Sequence, residues 1–162
     1  EDDRQEIARV VGIGAIKYAD LSGNRQSDYV FSWDNMLALV GNTAPYLLYA
    51  YTRIRSIFRK LEGESIEPPA SFALGQAEEV ALAKHLLRFG LVLEQVIDEC
   101  RPNFLCNYLY ELAGFFGSFY ENCPVLQAEG EVRAQRLALC DLAGRVLKTG
   151  LETLGLETTE RM

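Results

Sequence analysis

The sequence predicts an all-α fold, an antiparallel helix bundle forming one domain over residues 1–162. Apolar residues recur at spacings of three and four along most of the chain, the period of helices with one buried face. Clusters of Gly, Pro, Asn, Asp and Ser break that rhythm at intervals suited to helix–helix connections. Neither strand-like alternation nor an internal repeat is present, which leaves a bundle as the fold class.

Residues 4–19 place Ile7, Val10, Val11, Gly14, Ala15 and Tyr18 on one face of a first helix, with Asp3 available as its cap. The segment 20–28, DLSGNRQSD, reads as a loop, and Tyr29-Val30-Phe31 as an extended crossing. Ser32 is placed to cap a helix over WDNMLALV, residues 33–40, which stops at Gly41-Asn42. Thr43 then caps a helix from Ala44 to Leu61, with Pro45 in the first turn, where a missing N–H costs nothing. Residues 62–75, with Pro68-Pro69 and several acids, form a linker. Residues 76–100 fit two helices or one kinked helix, with the break at Phe89-Gly90. Pro102 opens a helix ending at Cys123-Pro124, and its aromatic content marks it as the central one. A last helix runs from Glu129 to Leu154. Gly144 and Gly150 weaken it by about 1 kcal/mol each relative to alanine, so close packing against a neighbour is expected there. GLETTERM, residues 155–162, is a polar tail.

Composition bounds the function. Cys100, Cys106, Cys123 and Cys140 form no C-x-x-C pair, and the single His85 has no cysteine near it. The expectation is small buried thiols in a reducing compartment, and no metal site. No apolar run approaches the roughly 18 to 20 residues needed to cross a bilayer, and no secretory leader is visible, so a soluble cytoplasmic protein is expected. The acids Glu78, Glu79, Glu94, Asp98 and Glu99 read as a solvated face. His85 reads as a satisfied, partly buried core residue, and Asp20, Asn24, Arg25 and Asp28 as loop-forming groups. None of these is expected to be catalytic.

A net charge of -7 argues against holding nucleic acid by global charge. Residues 44–60 are the exception: they carry Arg53, Arg55, Arg59 and Lys60 and no acid, leaving the rest of the chain at -11. At 100° per residue, Leu47, Tyr51, Ile54, Phe58 and Leu61 form a core stripe, with Tyr46, Tyr49, Arg53 and Lys60 on a neighbouring one. Two aromatics followed by cations suit single-stranded RNA, whose bases stack on tyrosine rings while arginine takes phosphate. Tyrosines at such positions also commonly bury their rings at a core edge, and spacing alone leaves both readings open.

The stretch from Val10 to Ile57, with GIGAIKYADL, DYVF-x-WD-x-M-L and GNTAPYLLYAY in that order, resembles the segment after the catalytic domain of arginyl-tRNA synthetases. The ending LKTGLETLGLETTERM is similar to their C-terminus. The resemblance implies the anticodon-binding domain of a class I synthetase, a C-terminal fragment of an arginine–tRNA ligase. By that resemblance Tyr46 and Tyr49 pack against anticodon nucleotides, Arg53 contacts the anticodon, and Met162 closes over it. Gly41, Asn42, Thr43 and Ala44 form a loop that changes shape when tRNA binds. Neither a HIGH-type nor a KMSKS-type signature is present, so ATP and Mg belong to the parent enzyme and this fragment carries no catalytic site. Expected partners are arginine tRNA and the catalytic domain of the same chain, in a monomer. The competing readings are a helical protein-interaction module and the anticodon domain of another class I synthetase.

Overall fold

The protein is described by a computed structural model covering residues 2–61, 64 and 68–162. Seven helices follow in order: α1 (Asp2–Ser22), α2 (Trp33–Met36), α3 (Ala44–Lys60), α4 (Ala77–Leu86), α5 (Phe89–Glu99), α6 (Asn103–Asn122) and α7 (Gly130–Thr153). No strand occurs among the described residues. Of the predicted linker, residues 62–63 and 65–67 lie outside that description, and residues 68–75 contain no helix.

α6 is the axle of the bundle, meeting α1, α3, α4, α5 and α7. Its own sequence explains this, because Leu105, Cys106, Tyr108, Leu109, Leu112, Ala113, Phe116 and Phe119 are all buried, on more than one side of the helix. α3 contributes Leu47, Leu48, Ile54 and Ile57 to the same core. The predicted stripe on α3 holds except that Phe58 is only partly buried, while Leu48 and Ile57 widen it. The two glycines of α7 mark close approaches. A Cβ on Gly144 would meet Ile54 Cγ2 at 3.0 Å, and one on Gly150 would meet Leu109 Cδ2 at 2.5 Å.

Several segments differ from their sequence-based expectation. α1 begins at Asp2 and reaches Ser22, so Asp3 lies inside it and residues 20–22 of the expected loop are helical. α2 stops at Met36 instead of reaching Val40, and the Ala38 carbonyl accepts from Thr43 Oγ1 (2.6 Å). Leu37, Leu39 and Val40 are exposed, so an apolar period was present without described residues packed over it, and a short helix does not persist without packing. The break between α4 and α5 falls at Leu87-Arg88, both in the right-handed helical region, so Phe89 and Gly90 lie in the first turn of α5. α5 leans chiefly on α6, which leaves Val92 buried but Leu87, Leu91 and Ile97 exposed. Cys100, expected to be buried, is exposed at the left-handed C-cap of α5.

Glu79 is the other correction. Only 4% exposed, it is part of no solvated face. Its Oε2 accepts from the backbone N–H of Gly75 and Gln76 at the start of α4, and its Oε1 takes Arg136 Nε of α7 at 2.7 Å. Burial pushes its carboxyl up, but those N–H groups and the guanidinium outweigh burial and hold it below the usual carboxylate range. Glu94, Asp98 and Glu99 are exposed as expected.

His85 is the satisfied core residue that its apolar neighbours suggested. Its ring stacks on Tyr108 at 4.4 Å and its Nε2 donates to the Tyr108 carbonyl (3.0 Å). Burial lowers its pKa, so the neutral ring is the folded form. A histidine lowered in the folded state takes up its proton more readily when unfolded. Its stabilising contribution is therefore full above the unfolded value of about 6.5 and is lost as pH falls from there toward the folded value. Urea midpoints measured between pH 8 and 5 should fall below about pH 6.5, before the carboxylates titrate. A flat profile across that window would contradict the buried neutral ring.

Candidate nucleic-acid interface

The site is built on the outer face of α3. Thr43 starts the helix by accepting the Tyr46 N–H on its Oγ1 (3.3 Å), and Pro45 occupies the first turn. One turn in, the Tyr46 ring is half-buried, tilted against Tyr110 of α6 with centroids 5.6 Å apart. Tyr49, on the adjoining turn, is 48% exposed and presents its ring to solvent.

The cations of α3 divide by partner. The Arg53 guanidinium lies 4.9 Å above the Tyr120 ring of α6. No carboxylate among the described residues pairs with it, so a cation–π contact holds it while its N–H fork remains available to a ligand. Arg55 donates to Glu160 Oε2 at 2.7 Å, and Arg59 donates to the Glu160 carbonyl. Lys60 is exposed at the far end of the helix, eleven residues and about 16 Å from Tyr49 at 1.5 Å per residue.

The tail reaches α3 along a fixed path. α7 ends in a Schellman turn: Gly155, at φ 75°, donates to the Glu152 carbonyl, and Leu156 N–H donates to the Leu151 carbonyl (2.9 Å). Leu156 is buried, Lys17 of α1 donates to the Gly155 carbonyl (2.7 Å), and Arg9 pairs with Glu157. The chain then crosses α3 at Glu160, so that Arg161 and Met162 join Tyr49, Thr52, Arg53, Ser56 and Arg59 around an open cleft of about 380 Å³.

Of the residues singled out from sequence, the structure thus gathers Tyr49, Arg53 and Met162 into one cleft. Tyr46 sits one turn away against Tyr110, and Lys60 does not line the cleft. Tyr110, Tyr120 and Glu160 were not anticipated, nor was the place of Arg59, counted only among the cations of the helix, in the cleft. Their contacts join residues tens of positions apart, and no local spacing signals them.

The loop 41–44 is pinned on both sides. Gly41 adopts φ 81°, the left-handed conformation that glycine tolerates best. Asn42 Oδ1 lies 2.6 Å from the Tyr18 hydroxyl of α1, and Asn42 Nδ2 donates to Asn107 of α6 (3.0 Å). Behind it a cavity of about 260 Å³ is lined by Tyr18, Tyr29, Met36, Asn42 and Thr43, among others.

The arrangement can hold an unstacked base on Tyr49 and a phosphate on Arg53, which is recognition chemistry. No group of three or more His, Cys, Asp or Glu placed to hold a metal ion is assembled among the described residues. Nor is any described helix long and apolar enough to cross a membrane.

Residues 47–162 match the family model of the DALR anticodon binding domain. The chain belongs to that family. The DALR match begins inside α3, and residues 1–33 instead match the model of the catalytic domain of class I tRNA synthetases (R). Similar proteins are the arginine–tRNA ligases of Pseudomonas fluorescens strain Pf0-1, 57% identical, and Rippkaea orientalis, 54% identical. Each alignment covers 100% of this chain and 28% of the relative. The chain therefore spans little more than a quarter of the length of these relatives. Among solved structures, Thermus thermophilus arginyl-tRNA synthetase superposes with a TM-score of 0.90 at 34% identity, over 97% of this chain and 27% of that one. The Plasmodium falciparum enzyme gives 0.83 at 34%, over 97% and 28%. The bundle is thus the DALR fold as arginyl-tRNA synthetases carry it.

Proposed function

We propose that this DALR domain reads the anticodon loop of arginine tRNA, within a protein whose catalytic domain joins arginine to that tRNA using ATP and Mg in the cytoplasm. The observation that carries the reading is the cleft where an exposed Tyr49 ring stands beside Arg53, a cation held by an aromatic ring instead of a carboxylate. Tyr46 and Tyr49 stack anticodon bases, Arg53 takes a phosphate or base edge, and Met162 closes the cleft from the tail. Lys60 adds a longer-range attraction for the RNA backbone. The loop Gly41-Asn42-Thr43-Ala44 shifts on binding by releasing the Asn42 contacts, with the adjoining cavity as the space it moves into. The arginine–tRNA ligases that match the whole chain at 54–57% identity support arginine tRNA as the partner.

The domain acts by placing the acceptor end of the tRNA in the catalytic domain of the same monomer. Exposed apolar side chains support that attachment: Ile13 and Ile16 on α1, and Val30 (90% exposed), Phe31, Trp33 and Val40 beyond it. Apolar exposure of this kind suits an interface, and all but Val40 of these residues lie within the stretch that matches the catalytic-domain model.

The reading is tested by titrating the intact protein with arginine tRNA and with a transcript altered at the central anticodon cytosine, which all arginine anticodons share. At one fixed salt concentration the altered transcript should bind at least tenfold more weakly. Equal affinities would remove anticodon reading and leave general RNA binding or protein interaction in its place.

A further inference from the structure

Glu160 receives three donors from one face of α3. Tyr51 donates its hydroxyl to Oε1 (3.1 Å), Arg55 donates Nε to Oε2 (2.7 Å), and Arg59 donates to the backbone carbonyl. The Arg55 hydrogen bond holds the carboxyl below the usual carboxylate range, so it is charged at neutral pH. These contacts have two effects in the same place. They fix the point from which Arg161 and Met162 extend into the cleft. They also occupy two of the four cations of an otherwise acid-free helix, leaving Arg53 and Lys60 as the cations not engaged by the tail.

We propose that Glu160 is the positioning residue of the RNA site: it holds Arg161 and Met162 in the cleft beside Tyr49 and keeps Arg55 and Arg59 away from phosphate, which turns a general polyanion surface into a selective one. This rests on the anticodon reading above. Phosphate contacts raise affinity for every RNA alike and carry no sequence information, whereas base contacts discriminate. Occupying two cations internally therefore lowers background affinity without touching the base-stacking ring. Holding Met162 in place keeps one wall of the cleft ordered before the RNA arrives, so less of the binding free energy is spent on ordering it.

The decisive measurement is the salt dependence of tRNA binding by the intact protein, for wild type, Glu160→Ala and Glu160→Gln, with arginine tRNA and the altered-anticodon transcript. In Glu160→Ala, Arg55 is released outright, while Arg59, held by a backbone carbonyl that alanine keeps, is released only as the tail loosens once its side-chain anchor is gone. The slope of log K against log salt should steepen by up to about 1.4, at ~0.7 per contact with single-stranded RNA. The affinity ratio between the two transcripts should fall several-fold. Glu160→Gln loses the charge and keeps one of the two side-chain acceptors, the other oxygen becoming an N–H donor, and should fall between. Slope and ratio both at wild-type values, with Tyr49→Ala still weakening binding, overturn the Glu160 role alone. A uniform loss of affinity at unchanged slope makes Glu160 a structural residue only, and also overturns it. If wild type fails to discriminate and Tyr49→Ala binds normally, the anticodon reading itself fails and the role of Glu160 with it.

Discussion

Replacing Tyr46 and Tyr49 together by alanine is expected to weaken arginine tRNA binding by about 2 to 6 kcal/mol, two base-stacking platforms at roughly 1 to 3 kcal/mol each. The two halves of that loss differ in kind. Tyr49 is half exposed and ends in solvent, so Tyr49→Ala should remove affinity while leaving the unfolding midpoint within about 0.5 kcal/mol of wild type. Tyr46 also packs on Tyr110, so Tyr46→Ala should in addition lower stability by about 1 kcal/mol, and Tyr46→Phe should restore most of it. Filter binding beside circular dichroism separates the contributions. Unchanged affinity in the double variant at full helix content would show that the tyrosines merely edge the core.

Arg136→Ala should be the most destabilising single change on the polar side of the bundle, at about 3 kcal/mol, because it strands a buried carboxylate. Glu79 would keep two backbone donors but lose the guanidinium that links α4 to α7, and the Pro124 carbonyl would lose its donor as well. Urea unfolding reads this as a shifted midpoint at constant slope. The double variant Glu79→Gln/Arg136→Met should recover a large part of the loss, since it removes both charges at once. A single variant within about 0.5 kcal/mol of wild type would show that water reaches the pair and screens it.

What the sequence disclosed follows how local each feature is. α3 and α6 were readable nearly to the residue, since capping by Thr43, the Pro45 position and the Cys123-Pro124 stop are all encoded within a turn of the helix they bound. The role of Gly144 and Gly150 was inferable from their cost in a helix, and Ile54 and Leu109 supply the reason. α2 was overextended because periodicity records which residues are apolar and not what covers them. Val40 and Leu87 are apolar and solvent-facing, one in the connection between α2 and α3 and the other at the break between α4 and α5. The same limit applied in reverse to Glu79, an acid among acids until its Arg136 partner, 57 positions away, comes into view. At the site, Tyr49 and Arg53 share a helix face and could be grouped by spacing. Tyr120 and Glu160 are brought to that face by other elements, and only the packing of α6 and the path of the tail disclose them.

α1 lies wholly within the stretch that matches the catalytic-domain model, yet Val10, Ala15 and Tyr18 are buried in the bundle, and a Cβ on Gly14 would touch Ala44, Leu48 and Leu156. The border drawn by sequence families is therefore not a border of the folding unit. A chimera joined near residue 34, with catalytic and anticodon modules from different donors, would bring a foreign first wall to a core shaped around this one. Its mismatched helix would also have to hold the tail through positions 9 and 17. Exchanging anticodon specificity between such proteins means moving the junction upstream of α1, so that the helix travels with the bundle it completes.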